Sequence, residues 1–147
     1  MKSRLSGMRI SNEAEITGIL FDLVQRNVVI RKAILSVIGI DEGWLDRSCV
    51  HLLHEYDLGG TRANLYLELL PQSAVGMNVI QPLAAGIIEA RLSDYVGDGH
   101  LEKWREVLCK HSGNRLLITL VPSSFARRQS ALLSQTSGIT ERVLTWE

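Results

Sequence analysis

Residues Arg62-Ala63-Asn64-Leu65-Tyr66-Leu67-Glu68-Leu69 alternate polar and apolar side chains without a break. A period of two suits a half-buried antiparallel strand and does not suit a helix. Ala63, Leu65, Leu67 and Leu69 form the apolar side. Upstream, Cys49-Val50-His51-Leu52-Leu53-His54-Glu55-Tyr56 alternates less strictly and can pair with it, and Asp57-Leu58-Gly59-Gly60-Thr61 supplies the glycines of a tight turn. A chain organised on this hairpin is predicted to be α+β with mostly antiparallel pairing, an N-terminal helix and one or two further short helices.

The flanking segments are read in the same way. Residues 1–11 are short, basic and aperiodic, and are predicted to be a flexible arm. Residues 12–147 are predicted to be a single α+β domain, long enough to bury a core. Asn12 followed by Glu15 resembles a capping box, and Ile16, Ile19, Leu20, Leu23 and Val24 then recur at helical spacing. The run from Val28 to Ile38 is rich in β-branched residues and is predicted to be a strand, the alternative being that the preceding helix continues through it. Gly39 to Asp46, with Trp44, reads as a loop, as does Pro71 to Gly76. Residues 84–92 fit a helix or a strand, and the strand is preferred. A helix is predicted from His100 to Lys110 with Leu101, Trp104 and Leu108 on one face. A strand is predicted from Arg115 to Val121, stopped by Pro122. A polar, helical segment follows to Ser134, and Thr140 to Trp146 is predicted to be a last strand.

The chain has 16 basic and 16 acidic residues. Zero net charge argues against the concentrated positive surface that nucleic acid requires, so no DNA partner is expected. Cys49 and Cys109 are read as free buried thiols of a reducing compartment, and no run approaches the ~18 apolar residues of a membrane span. The expectation is a cytoplasmic protein without a membrane span.

Chemistry-bearing patterns are sparse. Cys109-Lys110-His111 could contribute to a metal site, and His51 and His54 fall on opposite sides of a strand. A zinc site needs three or four converging ligands, and neither CxxC nor HExxH occurs. Asp94 and Asp98 lie in a glycine loop and are expected to be solvated. The most distinctive cluster is Arg127-Arg128-Gln129, after a strand and a Pro-Ser-Ser turn. Paired arginines there can clamp a phosphate or stack on a base; the alternative is a solvated basic turn or a salt bridge to Glu141. No acid, base and nucleophile set is visible, so neither an enzyme nor a bound metal is expected.

Several of these segments, taken in order, resemble the N-terminal domain of YcgR-type flagellar-brake proteins, the domain that precedes PilZ. The opening helix is similar at Ile10-Ser11-Asn12-Glu13-Ala14-Glu15-Ile16 with Leu20 and Leu23. A later strand is similar at Ser48 with Leu52, Leu53 and Asp57. A closing strand running into a Pro-x-Ser and arginine motif is similar at Leu120 to Gln129. The resemblance implies a small split β-barrel with a flanking helix, and a ligand role for Arg127, Arg128 and Gln129 toward cyclic di-guanylate. Ala131 and Leu132 stand where the family motif carries its second arginine, and no PilZ motif follows. The resemblance then implies protein binding as the role, with no tightly held cofactor.

Two functional expectations result. One is a non-enzymatic bacterial regulatory module that binds another protein and is connected with cyclic di-guanylate signalling and motility control. The other is a chaperone-like protein of type III secretion that holds an effector or secretion component. In either case the partner is a flagellar or secretion protein, and the chain could act as a homodimer.

Overall fold

A computed structural model describes residues 3–5, 8–10, 12–37, 39, 40, 43, 48–72 and 82–146. Trp44 and most of the loops expected at 39–46 and 71–76 lie outside the described residues. The elements are β1 (Ser3–Leu5), β2 (Met8–Ile10), α1 (Glu13–Arg26), α2 (Val28–Val37), β3 (Ser48–Asp57), β4 (Arg62–Pro71), β5 (Ala84–Ala90), α3 (Asp98–Cys109), β6 (Asn114–Val121), a 3-10 turn (Ser123–Phe125), α4 (Ala126–Ser130) and β7 (Thr140–Thr145). Within the expected arm, β1 and β2 pair antiparallel.

The protein is α+β. Five strands form one sheet in the order β3-β4-β5-β6-β7. The hairpin forms as predicted: β3 and β4 pair antiparallel from Ser48–Pro71 to Asp57–Arg62, and Gly59 and Gly60 take the left-handed φ of the turn; Ala63, expected on the side of Leu65, Leu67 and Leu69, packs instead in the opposite cluster with Tyr66. The expected antiparallel, barrel-like closure is corrected in two ways. β5, β6 and β7 run parallel, and β3 and β7 are the two edges of an open sheet. Parallel neighbours need a crossover of a dozen residues or more. Residues 91–113, carrying α3, make the first crossover, and residues 122–139, carrying α4, make the second.

Both faces of the sheet are covered. Val24 of α1 and Leu35 of α2 pack with Leu52, Leu65, Leu67, Leu69, Ile88, Leu116 and Ile118 on one face. Leu101, Trp104 and Leu108 of α3 pack with Ala63, Tyr66, Ala85, Ile87 and Leu117 on the other. This explains why β5 is buried at every position and why Tyr66, on the polar side of the alternation, is buried too.

The strand predicted from Val28 is instead the helix α2. Its ends decide the matter. The Asn27 side chain accepts the N–H groups of Val29 (2.9 Å) and Ile30 (3.1 Å), capping the first turn. At the other end Gly39 has φ +99°, Gly39 N–H donates to Ser36 O and Ile40 N–H donates to Leu35 O. That is a Schellman stop with its usual apolar contact, here between Ile40 and Leu35. Two caps and burial of Leu35 outweigh β-branched composition, which is a weak preference. The thiols are also corrected: Cys49 and Cys109 are free but exposed.

Candidate functional site

The register brings several polar side chains to one edge of the sheet: the carboxyl ends of β3, β5, β6 and β7 and the amino end of β4. In open α/β sheets, ligands seat at the carboxyl ends of parallel strands. α1 and α3 also begin here. Glu13, in the first turn of α1, accepts the N–H of Leu92 (3.2 Å), and His100, in the first turn of α3, lies 3.5 Å from Glu89.

Past the Leu65–Ile88 pair, the backbone ladder between β4 and β5 ends and side chains continue it. Asn64 N–H donates to Glu89 Oε1 (3.2 Å), and Ala90 N–H donates to Asn64 Oδ1 (2.8 Å). Asn64 Nδ2 donates to Glu55 Oε1 (3.2 Å). Asn64 thus bridges two carboxylates and holds the strands apart. Glu55 has φ +50°, the left-handed region that a residue with a Cβ enters at a cost of about 1–2 kcal/mol. Glu89 is 1% exposed and its other oxygen meets Arg91 at 3.3 Å. A buried carboxylate beside a strained residue is a common mark of a functional site.

The cluster does not form a nucleophile relay. Thr17 Oγ1 donates to Glu13 O (2.8 Å), and His54 Nε2 lies 3.0 Å from that hydroxyl and 3.8 Å from Glu55 Oε1. One ring nitrogen faces both neighbours, whereas a relay uses one nitrogen for the hydroxyl and the other for the carboxylate. Among the described residues no three His, Cys, Asp or Glu groups converge to hold a metal ion. With three glutamates against one arginine, the arrangement suits a small ligand that is cationic or rich in hydroxyls.

Arg127, Arg128 and Gln129 are placed elsewhere. Gln129 is fully buried; its amide accepts Val96 N–H (2.6 Å) and donates to Val96 O (3.0 Å). Arg128 lies 4.1 Å above the Tyr95 ring and donates to the Tyr95 hydroxyl (2.9 Å). Arg127 is exposed. Gln129 and Arg128 pin the loop between β5 and α3. Glu141, the alternative partner of these arginines, is bound to Arg105 instead.

A second feature lies on the α1–α2 face. An opening of about 450 Å³ is lined by Leu20, Ala33, Ile34, Val37, Ile88, Ile118, Leu120, Leu144 and Thr145. Thr145 is the one polar residue in this lining. Val29, Ala33 and Val37 of α2, spaced four apart, form an exposed apolar stripe beside it; Val29 is 77% exposed.

Sequence reasoning did not find Glu13, Glu55, Asn64, Glu89 or His100 as a group. The available signal was Glu89-Ala90-Arg91, two charges closing an otherwise apolar run. Comparison with protein-family models, with curated proteins and with solved structures finds no match to this chain.

Proposed function

We propose that the chain is a non-enzymatic binding module that holds an apolar stretch of another protein in the opening between α2 and strands β5–β7. The observation that carries this reading is the opening itself: eight of its nine lining residues are apolar, and it continues into the exposed Val29-Ala33-Val37 stripe. Covering such a patch releases water from apolar surface at roughly 25 cal/mol per Å². A regulatory module and a secretion chaperone both meet this description. Cyclic di-guanylate binding draws less support, because Gln129 is committed to Val96 and Arg128 to Tyr95. The test is an apolar fluorescent dye, anilinonaphthalene sulfonate. The folded protein is expected to bind it, and Ala33→Trp, which fills the opening from its exposed rim, is expected to reduce the signal severalfold without lowering Tm. An unchanged signal in Ala33→Trp would remove the reading.

The left-handed Glu55 beside buried Glu89 favours a second reading, in which the strand ends hold a small polar ligand. Its electrostatics can be tested at the bridging amide. Asn64→Asp puts a further carboxylate against Glu55 and replaces a donor by a repelling charge, at an expected cost of about 1.5–3 kcal/mol. Millimolar Mn²⁺ is expected to restore the Tm of this variant and to leave that of the wild type unchanged. Equal responses of the two proteins to Mn²⁺ would contradict this account of the site.

A further inference from the structure

We draw no further inference here: the strongest candidate, the apolar opening between α2 and strands β5–β7, belongs to the site already described, and nothing among the described residues shows what covers it.

Discussion

Arg105→Met is expected to destabilise the protein by about 3–5 kcal/mol, because it leaves a buried carboxylate without its cation. Arg105 grips Glu141 with both arms of its guanidinium, Nε to Oε2 at 3.0 Å and Nη2 to Oε1 at 2.8 Å. The side chains are 8% and 1% exposed. Arg105 also donates to Leu132 O (2.8 Å) and pairs with Glu102, so one residue of α3 ties β7 and the segment after α4 together. Hydrogen bonding to Glu141, opposed by burial, holds the guanidinium above its ordinary pKa. Burial alone would raise the Glu141 carboxyl, but Arg105, the Ser134 N–H and the Ser137 hydroxyl together bring it below its ordinary 4.5. A carboxyl depressed in the folded state stabilises above its unfolded pKa, and that contribution is lost as pH falls through the folded value. Urea unfolding followed by circular dichroism should therefore show a gap between wild type and Arg105→Met that is full at neutral pH and narrows below about pH 4.5. A gap that stays constant on acidification would show that the loss is one of packing rather than charge. The double variant Arg105→Met/Glu141→Leu should recover most of the loss, since an apolar pair of similar size needs no compensating charge.

What could be read in advance follows from which forces act locally. The hairpin was legible because alternation and a glycine turn both report on neighbours in sequence. α1 and α3 were legible from their apolar stripes and, for α1, from Asn12, whose side chain does accept the Glu15 N–H. At α2 local signals conflict. Asn27 and Gly39 are spaced as start and stop of a helix, but the run of valines and isoleucines between them favours a strand on composition alone. The parallel half of the sheet was hidden for a different reason. β5 is buried on both faces, so its sequence Ala84-Ala85-Gly86-Ile87-Ile88 carries no alternation. Without β5, the β-α-β unit through α3 is not recognisable, and local antiparallel pairing is the simpler expectation; the barrel is implied by the family resemblance alone. The strand-end cluster was out of reach because its members come from α1, β3, β4, β5 and α3, and only topology makes them neighbours. Arg127-Arg128-Gln129 drew notice because it is contiguous, yet burial of Gln129 depends on the Val96 backbone, thirty-three residues away in sequence.

Trp104→Ala should cost a similar amount, about 3–5 kcal/mol, because the indole is fully buried at the centre of the α3 face. Trp104→Phe should behave differently. The indole N–H is buried and, among the described residues, has no hydrogen-bond partner. Phenylalanine gives up part of the ring but also removes a donor whose desolvation costs roughly 1–3 kcal/mol, so the two effects oppose each other and the net loss should be about 1 kcal/mol or less. Were the indole N–H bonded in solution, Trp104→Phe would lose that bond as well and fall closer to Trp104→Ala. The site feels the same substitution. Trp104 packs edge-on against the His100 ring, with centroids 5.4 Å apart and planes at 84°, and His100 is the α3 residue that reaches Glu89. Phenylalanine retains an aromatic edge at this position and alanine does not. Exchange of the amides of residues 98–101 should thus accelerate in Trp104→Ala beyond what global destabilisation accounts for, and in Trp104→Phe it should follow global stability alone. Identical local exchange in the two variants, once corrected for stability, would mean that the first turn of α3 is positioned without help from the core beneath it.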